Sequence, residues 1–196
     1  QQLQIPQEIA ASLNSIGMVY HAQGDYPRAL EYLEQALAIR RQLKVPQAVA
    51  NSLHNIGTVY HVLGDYPRAL EYLEQALAIR RQLNIPQEIA NSLHNIGGIY
   101  RMQGNYARAL EYFEQALAIN RQLQIPQGVA DNLVNIGSTY LAGKRYPDAE
   151  QAFQQAVTEN QKTGHSGSWS PILVELYLAT GRPQASLNLL ADMTPY

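Results

Sequence analysis

Apolar and polar residues recur with a helical period between Val49 and Val62. Successive residues of an α-helix lie about 100° apart around its axis, which groups five apolar or small residues within about 100° of one another. These are Val49, Leu53, Ile56, Gly57 and Tyr60. The opposite, mainly polar side covers about 120° and carries Asn51, His54, Asn55, Thr58, His61 and Val62. The pattern predicts a helix with one packing face and one polar face directed elsewhere.

A second helix follows a short turn at Gly64-Asp65. Glycine suits the left-handed position after a helix C-terminus, and an aspartate can cap the next helix. Pro67 is tolerated in a first helical turn. The apolar stripe of this helix is Ala69, Leu73, Ala76, Leu77 and Leu83. We expect an antiparallel hairpin in which Gly57 meets Ala69 and Tyr60 meets Tyr66.

This helix pair is repeated along the chain with a period of 40 residues. Residues 64–83 match residues 24–43 without a difference, residues 104–123 are a close variant, and residues 140–156 are more diverged. The repeat predicts units at 5–43, 44–83, 84–123 and 124–163, then a shortened capping pair at 169–194. Helices are expected over 171–180 and 184–193. Residues 1–4 read like the tail of a preceding unit, so we expect further repeats or another domain upstream.

Composition narrows the class of partner. The net charge is −2 and there is no basic tract, which argues against nucleic acid or an anionic membrane as partner. No apolar run is long enough to span a bilayer. Cysteine is absent, which fits a reducing compartment such as the cytoplasm. Nothing in the composition calls for a cofactor.

Four in-phase copies resemble the tetratricopeptide repeat, whose pattern is W-x2-L-G-x2-Y, then A-x3-F and a later Ala, although Leu stands here in place of the Trp. The second copy carries Leu53, Ile56-Gly57, Tyr60, Ala69, Leu73 and Ala76, and the third carries Leu93, Ile96-Gly97, Tyr100, Ala109, Phe113 and Ala116. The unit is longer than the usual 34 residues or so. With this length, the unit resembles the repeat units of kinesin light chain, Pins-type adaptors and bacterial tetratricopeptide arrays.

The resemblance implies an all-α fold, an α-solenoid of antiparallel helix pairs with a right-handed superhelical twist. First helices would line its concave groove, where relatives hold an extended or helical peptide, and catalysis is uncommon. The candidate peptide-binding residues are therefore the polar faces of the first helices. They are Asn14, His21, Asn51, His54, Asn55, Thr58, His61, Asn91, His94, Asn95, Arg101, Asp131, Asn135 and Ser138.

Three of these residues, Asn55, Asn95 and Asn135, precede the Ile-Gly pair of their units and form a ladder. An amide offers both a donor and an acceptor, which suits a peptide main chain of any sequence. The alternative is that they are solvated polar positions of a duplicated unit. The basic clamp that grips acidic chaperone tails is not matched, because Arg101 is the only fixed cation expected in the groove.

Other motifs favour structural interpretations. His54 and His61 lie two helical turns apart, too far to share a metal ion, so we expect no metal site. The histidines are instead expected to make the groove more positive as the pH falls towards 6. Arg40-Arg41 and Arg80-Arg81 lie where cations favour a helix dipole. Ser166 and Trp169 belong to a Gly/Ser-rich break and the end unit rather than to a site.

The sequence thus predicts a scaffold for protein–protein interaction rather than an enzyme. Two alternatives stay open. The chain is a regulatory region of a larger enzyme whose catalytic domain lies elsewhere, or it is a self-assembling array. The second follows because the apolar face between Ile5 and Tyr20 has no preceding repeat to cover it, so copies could stack end to end.

Overall fold

The computed structural model describes residues 4–163 and 170–182, all of which lie in helices or in the turns between them. The first helices of the successive pairs are α1 (Gln4–Ala22), α3 (Pro46–Val62), α5 (Pro86–Met102) and α7 (Pro126–Ala142). The second helices are α2 (Tyr26–Gln42), α4 (Tyr66–Gln82), α6 (Tyr106–Gln122) and α8 (Tyr146–Thr163). The helix α9 (Ser170–Ala179) follows. The predicted all-α fold of repeated helix pairs is confirmed.

The chain divides into two compact units, Gln1–Ile99 and Tyr100–Tyr196. In the first unit, α1 packs against α2, α3 packs against α4, and α2 bridges to α3. In the second unit, α7 packs against α8 and contacts α6, while α9 contacts α8. Trp169 and the helix expected over 184–193 lie outside the described residues. Within the described ranges, no helix is long and apolar enough to cross a membrane.

The turn inside each pair uses a residue in the left-handed region. Gly24, Gly64 and Gly104 have φ between 74° and 78°, and Lys144 takes the same place in the fourth pair with φ 59°. In the first three pairs the next residue caps the second helix, as when Asp65 Oδ1 accepts from the Arg68 backbone N–H at 3.1 Å. The turn chemistry predicted from Gly64-Asp65 is therefore confirmed.

Glycine in the first helix allows close contact with the second. A Cβ atom on Gly57 would lie 2.8 Å from Leu73 Cγ and 3.2 Å from the Ala69 carbonyl oxygen. Gly137 stands equally close to Phe153 in the fourth pair. By contrast, Gly98 has open space where a Cβ would be. The prediction that Gly57 faces the second helix of its own pair is confirmed.

The predicted contact of Tyr60 with Tyr66 is wrong. Tyr60 stacks on Tyr72, with ring centroids 5.6 Å apart, while Tyr66 lies 6.2 Å from His61. Tyr66 is the first residue of α4 and therefore lies beside the polar side of the last turn of α3. Tyr72 lies further along α4, on the side that packs against α3.

Candidate functional site

Arg80 lies at the centre of the polar face of the first unit, although its sequence position is at the end of α4. Its side chain passes inward and is only 5% exposed. The guanidinium forms an ion pair with Glu88 (Nε–Oε2 2.8 Å) and donates to Ser92 Oγ at 2.7 Å and to Asn51 Oδ1 at 3.3 Å. Arg80 does lie in the last turn of α4, as the sequence indicated, but its contacts go beyond the helix dipole. It joins α4 to the polar faces of α3 and α5.

His54 is held neutral by this arrangement. Arg80 Nη1 lies 3.2 Å from His54 Nδ1. Burial lowers the pKa of His54 to about 4, and the positive charge of Arg80 adds to this effect while Glu88 opposes it. Burial also lowers the pKa of His61. The expectation that the histidines charge the groove near pH 6 is therefore wrong for His54, because a protonated ring would face a guanidinium.

The same contact fixes the tautomer of His54 and orients Asn95. A guanidinium can only donate, so Nδ1 is the acceptor and Nε2 carries the proton of the neutral ring. Nε2 lies 3.4 Å from the side-chain amide of Asn95. The amide atom at this distance is Nδ2. Since Nε2–H needs an acceptor, we assign the flipped amide, with the oxygen of Asn95 towards the ring and its NH2 group away.

The preceding junction repeats this geometry with one difference. Arg40 Nη1 donates to Ser52 Oγ at 2.7 Å, to the Ala48 carbonyl at 3.2 Å and to Asn14 Oδ1 at 3.2 Å. Asn14 Oδ1 also accepts from Asn55 Nδ2 at 3.0 Å, which leaves the Asn55 oxygen directed elsewhere. Ala48 stands where the next repeat has Glu88, so among the described residues Arg40 has no carboxylate within ion-pair distance.

The second unit carries an amide in place of the arginine. Asn120 is buried, and a Cβ on Gly128 would lie 2.7 Å from its Cγ atom, so only glycine leaves it room. On the polar face of α7, Asn135 Nδ2 donates to the Asp131 backbone carbonyl at 3.0 Å. Asp131 Oδ1 accepts from Gln127 Nε2 at 2.9 Å. The polar face of α7 is therefore uncharged except at Asp131.

The remaining predicted residues lie on the first helices but differ in availability. Thr58 donates to the His54 carbonyl of its own helix at 3.0 Å. His21 packs against Tyr26, with ring centroids 5.9 Å apart. Asn91 is exposed and accepts from Gln87 at 3.4 Å. Four others are half-buried: His61, His94, Arg101 and Ser138.

Sequence reasoning missed Arg40 and Arg80 as parts of the polar face. A signal was present in the sequence. Positions 40, 80, 120 and 160 are Arg, Arg, Asn and Asn, and the residues twelve positions after the first three, at 52, 92 and 132, are Ser, Ser and Asn. Residues that change together across repeats indicate a contact. The view that Arg101 is the only fixed cation near these faces is therefore wrong, although Glu88 neutralises Arg80.

Several solved structures share this architecture. A putative kinesin light chain with nearly identical TPR-like repeats from Podosopora anserina is 24% identical, with a TM-score of 0.78 over 95% of this chain and 93% of that one. Aspartyl phosphate phosphatase F from Bacillus subtilis is 19% identical, with a TM-score of 0.83 over 95% of this chain and 50% of that one.

A Rap protein complexed with competence and sporulation factor is 21% identical, with a TM-score of 0.77 over 98% of this chain and 54% of that one. The chain thus spans about half the length of these last two proteins. No curated protein sequence matches this chain significantly.

The sequence itself matches the family model for the tetratricopeptide repeat over residues 8–82 and 88–158. These two matches cover most of the chain and include most of α1, α5 and α8 and the whole of the helices α2, α3, α4, α6 and α7. The protein therefore belongs to the tetratricopeptide-repeat family.

Proposed function

We propose that this protein is a non-catalytic scaffold of the cytoplasm that holds an extended peptide segment of a partner on the polar faces of its first helices. In the first unit the binding face comprises Asn14, Asn51, His54, Asn55, Asn91 and Asn95. The polar face of α7, with Asp131, Asn135 and Ser138, has the same role in the second unit. Tetratricopeptide arrays act mainly as interaction scaffolds, and one solved relative is complexed with competence and sporulation factor.

The observation that carries the proposal is that two neighbouring amides contact different groups, Asn14 Oδ1 and His54 Nε2, from which we assign them opposite orientations. Asn55 uses its NH2 group on Asn14, so its oxygen is left to accept from a ligand. Asn95 contacts His54 Nε2, and with its amide assigned from the tautomer of that ring its oxygen accepts from Nε2–H and its NH2 group is left to donate. A peptide main chain presents both an N–H and a C=O, and this pair of amides can satisfy both whatever the side chains are.

Arg40 adds a preference for an acidic residue in the peptide. Its charge has no internal carboxylate partner among the described residues, whereas Arg80 has Glu88. Arginine stays charged at any physiological pH and binds carboxylates through several N–H donors. We infer that the peptide carries a carboxylate near Arg40, which would give binding a moderate dependence on salt.

A comparison of partner recovery tests the proposal. The wild type and the triple variant Asn55→Ala, Asn95→Ala, Asn135→Ala are used to recover native partners at low and high salt. Each lost hydrogen bond costs about 1 kcal/mol, so the variant should bind roughly a hundredfold more weakly. Equal recovery by a folded triple variant would move the binding surface away from these faces.

Self-association is the second candidate, because the apolar face of α1 is exposed. Ile16 is 41% exposed and Val19 is 54% exposed, whereas Ile56 and Val59, their equivalents in α3, are fully buried. An apolar face of this kind can pack against another chain. Sedimentation over a concentration series should show association that the Val19→Lys variant abolishes. A monomer at all concentrations would remove this candidate.

A further inference from the structure

A pair of stacked tyrosines occurs in each of the first three helix pairs. Tyr20 stacks on Tyr32, with ring centroids 5.4 Å apart, and Tyr60 stacks on Tyr72 at 5.6 Å. In the second unit Tyr100 stacks on Tyr112 at 5.4 Å. In every case the first ring comes from the end of a first helix and the second ring comes from the following helix. The repeat thus has a defined place for a second tyrosine ring.

The fourth pair keeps the first tyrosine and lacks the second. Tyr140 is present at the end of α7, but Ala152 stands at the partner position in α8. A cavity of about 310 Å³ opens there, with Leu133, Ile136 and Tyr140 among its lining residues. Tyr140 is half-buried, while Tyr100 is only 7% exposed. The alanine at this position therefore leaves an open pocket beside Tyr140.

The pocket retains the platform on which a ring would stack. The guanidinium of Arg145 lies 4.5 Å from the centre of the Tyr140 ring, and Arg108 lies 5.3 Å from that of Tyr100. Tyr140 therefore keeps the cation contact of its counterparts, while Ala152 stands where they have the aromatic one. Offset stacking of two aromatic rings is favourable beyond the apolar area that it buries.

Polar residues of the pocket suit a hydroxyl group. In the first unit, burial raises the pKa of Tyr72, and nearby Glu34 raises it further while Arg41 opposes this. The equivalents of these two residues, Glu114 and Arg121, line the pocket beside Ala152. A phenol bound in the pocket would thus have a carboxylate acceptor and a guanidinium donor among the lining residues.

We propose that this pocket binds a tyrosine side chain of a partner polypeptide, with its ring stacked on Tyr140 and its hydroxyl between Glu114 and Arg121. The chain itself supplies the argument for this occupant, because a tyrosine fills the equivalent place in the three other pairs. Leu133, Ile136 and Tyr140 lie opposite Asn135 and Ser138 around the axis of α7. The pocket is thus separate from the polar face, and its occupation does not depend on the proposed peptide site.

Ligand-observed NMR titrations test the proposal with two probes, p-cresol and the capped peptide acetyl-Gly-Tyr-Gly-amide. The wild type should bind both saturably, with dissociation constants on the order of millimolar, as expected for ligands of this size. Ala152→Tyr should fill the pocket internally and weaken both probes at least tenfold. The restored ring pair should also raise Tm by about 2–4 °C. Ala152→Leu blocks the pocket without a ring and should likewise abolish binding.

Four results would overturn the proposal. The first is the absence of saturable binding to the wild type, and the second is binding to the two Ala152 variants that is as tight as binding to the wild type. The third is binding of p-cresol without the peptide, since the pocket would then exclude a main chain. If the peptide binds a Tyr196→Ala variant and not the wild type, the pocket belongs to the chain's own tyrosine and the proposal also fails. These results are independent of the experiment with the triple asparagine variant, so a failure here leaves the proposed peptide site on the polar faces untouched.

Discussion

The stability of the first unit depends on how the charge of Arg80 is compensated. The side chain is buried, and Glu88 is its ion-pair partner at 2.8 Å. Breaking a buried pair by removing one partner leaves an uncompensated charge and typically costs about 3 kcal/mol or more. We expect Glu88→Ala to lower the free energy of unfolding by roughly 3 kcal/mol in urea titrations.

The matched change is Ala48→Glu, which places a carboxylate beside Arg40 as Glu88 lies beside Arg80. This change should leave stability unchanged or raise it, because Arg40 is only half-buried and has no carboxylate partner among the described residues. A Glu88→Ala variant as stable as the wild type would contradict the central role given to Arg80.

His54 makes the stability of the fold depend on pH. Its pKa is about 4 in the folded protein and about 6.5 when unfolded, so below pH 6.5 the unfolded chain binds more protons. Stability should therefore fall as the pH drops from about 6.5 to 4, by up to about 3 kcal/mol. The decrease should be much smaller in His54→Asn, because the asparagine side chain does not titrate. An asparagine should fit here, because Asn14 already accepts from Arg40 and Asn55 at the equivalent place.

Urea unfolding of both proteins at pH 7 and pH 5 provides the measurement. The difference between the proteins isolates His54 from every other titrating group. Parallel losses of stability in the wild type and in His54→Asn would show that this ring is not held neutral.

At the scale of the helix pair, the contact between the two helices depends on Gly57. Its backbone faces Leu73 and the carbonyl oxygen of Ala69, and the carbonyl cannot move aside. Gly57→Leu should therefore cost about 3 kcal/mol or more through overpacking. Gly98→Ala is the control, because nothing occupies the space that its Cβ would fill. It should raise stability by up to about 1 kcal/mol through helix propensity.

Thermal unfolding monitored by circular dichroism measures both variants. The account of helix pairing would fail if Gly57→Leu unfolded at the temperature of the wild type. It would fail equally if Gly98→Ala were the more damaging change.

For the whole molecule, the sequence was sufficient for the positions of the helices. Helix periodicity, the prolines at Pro46, Pro86 and Pro126 and the glycine turns define each element locally, and four copies repeat the same evidence. Long side chains were harder to place. Arg80 lies at the end of a helix, and only the packing of α3, α4 and α5 around it shows that it turns inward.

The tyrosine stack shows the same limit of sequence reasoning. Helix periodicity places Tyr66 and Tyr72 on the same helix, but it does not decide which ring meets Tyr60. The pocket at Ala152 was visible as a break in the series of Tyr32, Tyr72 and Tyr112. Its interpretation as the place of a missing second ring required the distances between the stacked tyrosine rings of the other three pairs.

The central claim is that a partner peptide lies on the polar faces of the first helices. It is tested most directly by placing a photo-crosslinking amino acid at Asn91 on α5 or, as the matched control, at Glu71 on α4. Both side chains are exposed in the same unit. The account predicts that native partners crosslink from position 91, that little crosslinks from position 71, and that the triple asparagine variant loses the adduct. Adducts from position 71 alone would contradict it.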